Sequence, residues 1–164
     1  MKKKRFLIVT MLVLAILSML SITAFAKQSE HAEGLWQYQP FIDEVRLADG
    51  NTFLKTHENG KWTGTFSGKS TEDGKVVIHS SGAWSFKGTV SFEGVVNGKT
   101  GTLTMLAVGS RPDENTDWTG KWVILSGTGD LANLRGQGTW SGPGAPAPEQ
   151  WGDIYYAGDI HFEP

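Results

Sequence analysis

The sequence predicts an all-β protein, a small antiparallel closed barrel of about eight strands. Three observations carry that reading. Beyond Gly34, apolar residues recur at every second position and keep helical spacing for no more than about one turn. Glycines and large rings share one of the two alternating faces, as in Trp62-x-Gly64-x-Phe66-x-Gly68, Trp84-x-Phe86-x-Gly88-x-Val90-x-Phe92-x-Gly94, Trp118-x-Gly120-x-Trp122, Gly136-x-Gly138-x-Trp140 and Tyr156-x-Gly158-x-Ile160-x-Phe162. The opposite face is polar, with Lys61, Thr63, Thr65, Ser67 and Lys69 in one stretch and Ser85, Lys87, Thr89, Ser91 and Glu93 in another.

A sheet with one wet face must cover its other face, and beyond Gly34 no amphipathic helix offers cover, so the sheet closes on itself or folds into two layers. Glycine on the inner face lets a strand bend, and a neighbouring ring can lie over the bare backbone. That alternation suits the curved wall of a barrel, in which about eight strands leave room for side chains or one small ligand. A two-sheet sandwich is the alternative.

In chain order, residues 1–26 come first. Lys2, Lys3, Lys4 and Arg5 precede an apolar run from Phe6 to Phe25, and Ala24-Phe25-Ala26 supplies a small-residue cleavage site. This predicts a signal peptide and a periplasmic or extracellular protein. The run is also near the length that spans a bilayer, so an uncleaved anchor is the alternative, and it would be the sole link to a membrane. Residues 27–33 read as a tether and 34–164 as one barrel domain. Expected strands are 35–39, 52–58, 61–70, 75–81, 83–96, 100–110, 119–126, 135–141 and 153–162. Turn signals fall at Asp49-Gly50-Asn51, Glu58-Asn59-Gly60, Asp73-Gly74 and Asn97-Gly98. The proline-bearing stretch 141–150 reads as a loop.

Without residues 1–26 the chain has eleven basic and seventeen acidic residues, a net charge of −6, which argues against nucleic acid as a partner. About 138 residues make one domain with one core. The absence of cysteine removes disulfides, thiolate nucleophiles and thiolate metal ligands.

Chemical motifs fail on context. Gly127-x-Gly129-x-x-Ala132 has a dinucleotide-binding spacing, but the helix that should follow has no room before the strand of Gly136 and Gly138. It reads instead as a strand-to-strand corner with a single helical turn. Asp113-x-Asn115-x-Asp117 opens like a calcium loop, then puts Trp118 where glycine and Ile124 where glutamate should stand. His31, His57, His79 and His161 have no zinc spacing. There is no G-x-S-x-G elbow, and Glu93 and Asp159, expected on the outer face, read as solubilising charge. No metal and no cofactor is expected.

The stretch from about Lys61 to Gly138, and more weakly to the C-terminus, resembles a bacterial family of unknown function grouped with the allene oxide cyclase-like, or dirigent-like, barrels. The resemblance rests on Phe66-Ser67-Gly68, Phe86-x-Gly88, Asn97-Gly98-Lys99-Thr100-Gly101, Gly109 and the corner from Ser126 to Gly138, in which Gly127, Gly129, Gly136 and Gly138 are structural. It implies an eight-stranded antiparallel barrel with a central cavity. Relatives in the wider superfamily are cyclases or direct the coupling of small radicals, but their catalytic polar residues do not map here. Val90, Phe92, Trp122 and Ile124 stand where an inner polar residue would help.

The functional expectation is therefore an exported, non-enzymatic barrel that holds a small apolar or aromatic molecule, lined by Trp62, Phe66, Trp84, Phe86, Phe92, Trp122 and Tyr156. A cyclase or isomerase is one alternative, with Tyr156 the nominee for a catalytic group. A glycan- or protein-binding module is the other, acting through Trp36, Trp151 and the 141–150 loop, with Trp151 at the mouth or on the surface. The sequence shows no evident oligomer.

Overall fold

A computed structural model describes residues 29–164. The expected export segment lies outside the described residues. The chain forms β1 (Glu30–Ala48), β2 (Asn51–Gly64), β3 (Phe66–Ile78), β4 (Trp84–Val96), β5 (Lys99–Arg111), β6 (Trp118–Gly129), β7 (Leu134–Gly144) and β8 (Gly152–Phe162). Each strand pairs antiparallel with the next, and β8 pairs with β1, which closes the barrel. The described residues contain no helix.

Two reversals have the expected chemistry. Asp49-Gly50 and Asn97-Gly98 place both central residues at positive φ, 51° and 75° in the first and 50° and 78° in the second. That geometry matches the twist of the flanking strands. The corner after β6 also forms as a tight turn: Leu131 donates to Thr128 O and Leu134 to Leu131 O, and the fully buried Leu131 side chain plugs the barrel end.

Several expected boundaries are corrected. Glu58-Asn59-Gly60 and Asp73-Gly74 are not turns but the middles of β2 and β3, paired Glu58 with Glu72, Gly60 with Ser70 and Gly74 with Thr56. Their glycines answer crowding rather than chain reversal. A Cβ at Gly60 would run into Ser70 Oγ and Trp36 Nε1, and one at Gly74 into Thr56 Oγ1 and the Phe86 ring. Conversely, residues 61–70 are not one strand: the chain reverses at Gly64-Thr65, where Gly64 has φ 101°, and Trp62 then faces Gly68 across the hairpin. Thr65 locks this reversal to β1 by donating its N–H to Glu33 O at 3.0 Å and accepting the Glu33 N–H on Oγ1 at 3.0 Å.

Residues 30–33, expected in a tether, open β1 instead. They close the barrel by pairing with β8, and Ala32 is wholly buried opposite Gly158. Residues 141–144, expected in a loop, belong to β7; the register shifts between Ser141 and Gly144, around a proline that cannot donate to a ladder.

The two ends of the barrel differ. At the end carrying the 64–65, 97–98 and 130–133 reversals, the interior is solid. Phe66 lies 5.9 Å from Trp62, 5.9 Å from Phe92, 5.8 Å from Trp122 and 5.3 Å from Tyr156, centroid to centroid. These are edge-on and tilted contacts of the favourable kind, capped by Leu103, Leu131, Leu134 and Ile160. The other end is open.

Candidate functional site

The open end holds a cavity of about 450 Å³, within the range of small-molecule sites, roughly 300–1,000 Å³. Its walls come from inward positions of seven strands: Trp36, Tyr38 and Pro40 of β1, Leu54, Thr56 and Glu58 of β2, Val76 of β3, Trp84 and Phe86 of β4, Arg111 of β5, Trp118 of β6 and Trp140 of β7, with Ile154 of β8 below. Loops 112–117 and 145–151 form the rim, contributing Glu114, Asn115 and Ala145 to Pro148. Room for these walls comes from bare glycines: a Cβ at Gly109 or Gly120 would run into the Trp140 ring.

The rim is tied down. Ala145 N donates to Tyr38 Oη at 2.9 Å, Gln39 Nε2 to Glu149 O at 2.8 Å and Glu149 N to Pro40 O at 2.7 Å. Arg111 lies against two wall rings, its guanidinium 4.0 Å from the Trp84 centroid and 4.8 Å from that of Trp118, with Nη1 donating to Glu114 O at 3.0 Å. Such stacking is favourable for arginine.

Polar groups are set deeper in the wall. Glu58 and Glu72 face each other across β2 and β3, both inside the barrel and both almost fully buried. Burial pushes the Glu58 carboxyl up to about 7. Burial raises Glu72 well above the carboxylate range, and the charge of Glu58 adds to this. Neither Glu72 oxygen has a hydrogen-bond partner, and a Cβ at Gly88 would run into Oε1, so the glycine makes space for the carboxyl. Thr56 Oγ1 lies near enough to Glu58 to favour its charged form but makes no hydrogen bond of normal geometry. Trp36 Nε1 is also buried without a partner. Burial raises Tyr38 to about 12, so it stays a neutral phenol.

Of the residues expected to line a lumen, Trp84 and Phe86 line this cavity. Trp62, Trp122 and Tyr156 border only a second void of about 10 Å³, barely room for one water. Phe66 and Phe92 are packed core. Tyr156 Oη accepts the Phe66 N–H at 3.0 Å and donates to Thr63 O at 3.1 Å, a structural bridge outside the cavity lining. Trp151 does not line the cavity; it is half-exposed, with Lys61 Nζ 4.3 Å from its ring centroid. Trp36, expected at the surface, is buried and stacked on Trp62 at 5.3 Å. Gly127, Gly129, Gly136 and Gly138 shape the closed end: a Cβ at Gly127 would meet Leu131 O, and one at Gly138 would meet Ala157 O.

Sequence reasoning missed Tyr38, Thr56, Glu58, Glu72 and Arg111. The signal was present, since Thr56-x-Glu58-x-Gly60-x-Trp62 keeps step with the inward Trp62. Among the described residues, no group of three His, Cys, Asp or Glu side chains converges to hold a metal.

This architecture is that of a closed eight-stranded antiparallel barrel, plugged at one end and hollow at the other. Residues 35–144 match a family model described as "Protein of unknown function (DUF3224)", and the chain belongs to that family. A crystal structure of a DUF3224 family protein of unknown function from Shewanella oneidensis MR-1 is similar, with a TM-score of 0.67 over 84% of this chain and 99% of that chain at 13% identity. At that identity the likeness establishes the fold. No curated protein matches the chain.

Proposed function

We propose that this protein is an exported barrel that binds a small, mainly apolar or aromatic molecule in its open end. The observation that carries the reading is the cavity of about 450 Å³ walled by Trp36, Trp84, Phe86, Trp118 and Trp140. Small-molecule sites are lined predominantly by apolar and aromatic side chains of this kind, with a few polar groups that fix orientation. Export is supported by the basic and apolar N-terminal sequence, Lys2 to Phe25.

The test is mass spectrometry of the organic extract from protein purified gently from its native compartment, beside Ala147→Trp, which places a ring at the rim. A stoichiometric small molecule that the variant loses is the expected result. An empty extract, together with no uptake of apolar probes, overturns the reading.

A second reading is favoured by Glu58, a cavity carboxyl raised to about 7, the range in which a group can give and take protons near neutrality. An isomerase or cyclase would use it so, in keeping with the resemblance to allene oxide cyclase-like barrels. Turnover of a bound molecule that Glu58→Gln abolishes while binding persists would establish this reading. Unchanged turnover in that variant would remove it.

A further inference from the structure

Two carboxyls inside a barrel of this size carry charge only at high cost unless a partner compensates it. Among the described residues neither Glu58 nor Glu72 has an ion pair with Lys, Arg or His, and both Glu72 oxygens are without a hydrogen-bond partner. Arg111 shares the cavity; its guanidinium lies on the faces of Trp84 and Trp118 and Nη1 donates to Glu114 O, while Nε is buried without a partner, and it makes no ion pair with either carboxyl. A neighbouring hydroxyl belongs to the same polar floor. Thr56 Oγ1, almost fully buried and lining the cavity beside Glu58, has no partner of normal geometry. Around Glu58 and Thr56 the floor therefore offers oxygen atoms paired with no cation, beside the unpartnered Trp36 Nε1 and below walls whose ring faces hold the Arg111 guanidinium.

We propose that the cavity takes a small aromatic or alicyclic amine, its apolar body between the tryptophans and its ammonium group on the carboxylate of Glu58, with Glu72 directly behind. This rests on the reading of the cavity as a ligand site and specifies the ligand's chemistry. An ammonium brings three donors and one positive charge, which matches Glu58 and Thr56. The ammonium draws Glu58 into its charged form, with Glu72 held protonated behind it by burial. Ring faces around the cation add to the attraction. A carboxylate ligand would gain nothing from Glu58 and would repel its charged form, and a neutral alcohol brings no charge to draw Glu58 into that form.

The test compares three probes that share one ring system, tryptamine, 2-(indol-3-yl)ethanol and indole-3-acetate, by titration calorimetry on the wild-type protein and on Glu58→Gln. The expected order is tryptamine tighter than the alcohol by about tenfold, which is about 1.4 kcal/mol, with the acetate weakest. In Glu58→Gln the preference for tryptamine should collapse to within about twofold, while the alcohol binds as before. An alcohol that binds as tightly as tryptamine to the wild type overturns the amine and leaves the apolar-ligand reading standing. A preference that survives in a folded Glu58→Gln also overturns it. No heat from any of the three at millimolar concentration overturns both readings.

Discussion

Glu58 on β2 and Glu72 on β3 occupy directly opposed register positions and turn both carboxyls into the barrel. Opposed like charges repel, and burial disfavours the charged form of each. The pair is therefore held protonated over a pH range in which an exposed glutamate is ionised.

The first prediction concerns pH. In the unfolded chain Glu58 releases its proton near the ordinary value of 4.5, and in the barrel it holds it up to about 7. Burial shifts Glu72 in the same direction. The folded state thus binds more protons between these limits, and the stability contribution, complete below about 4.5, is lost as pH rises through about 7. Urea midpoints should fall between pH 5 and pH 8 by the equivalent of about 1–3 kcal/mol. Glu72→Gln, which cannot ionise, should flatten the profile and raise stability at pH 8; a flat wild-type profile would contradict this account.

Tyr156→Phe removes the hydroxyl that bridges Phe66 N and Thr63 O. Two backbone groups then lose a partner, at about 1–3 kcal/mol. The denaturant midpoint should drop accordingly, with probe affinity in the cavity unchanged. Loss of binding with no loss of stability would return Tyr156 to the site.

Glycine substitutions should separate two mechanisms. Gly120→Ala drives a methyl group into Val108 O and the Trp140 ring, and backbone cannot retreat easily, so overpacking should cost about 1–3 kcal/mol and disturb the cavity wall. Near-native stability and unchanged probe affinity would show that the wall yields.

Gly98→Ala meets nothing within 4 Å, yet its φ of 78° is one that alanine adopts poorly. Stability should fall by about 1 kcal/mol with binding intact, as read from paired denaturation and titration curves. A change in affinity would sink the idea that this reversal and the cavity are independent.

Trp151 packs outside the barrel under Lys61. Trp151→Ala should change stability by less than about 1 kcal/mol and leave probe affinity unaltered. A lowered affinity would show that the loop of residues 145–151 depends on the ring.

Much of the architecture was legible because a closed sheet imposes a period of two on inner residues, and the glycine and aromatic frame followed it from Trp84 to Phe92 without a break. Asn97-Gly98 was legible for a local reason, the positive φ that both positions require. The site was harder. Glu58-Asn59-Gly60 has the composition of a turn, and composition reports local preference only; what keeps Gly60 in a strand is the approach of Trp36 and Ser70 from neighbouring strands. Reading that triplet as a reversal hid the inward step of Glu58, and the same error at Asp73-Gly74 interrupted the strand of Glu72. The rings divided likewise: alternation puts Phe66 and Phe86 on the same kind of face but carries no information on height along the barrel axis. Height separates solid core from cavity wall.

The seam between β1 and β8 pairs Glu30 with Ile160, so the described chain enters and leaves the barrel at the plugged end, and Glu163 N is fastened there to Asn133 O at 2.8 Å. Immobilisation through either end of the described chain, at Glu30 or beyond Phe162, on a bead or a sensor chip, leaves the hollow end pointing outward into solution. Any molecule that enters the cavity would then do so without passing the point of attachment.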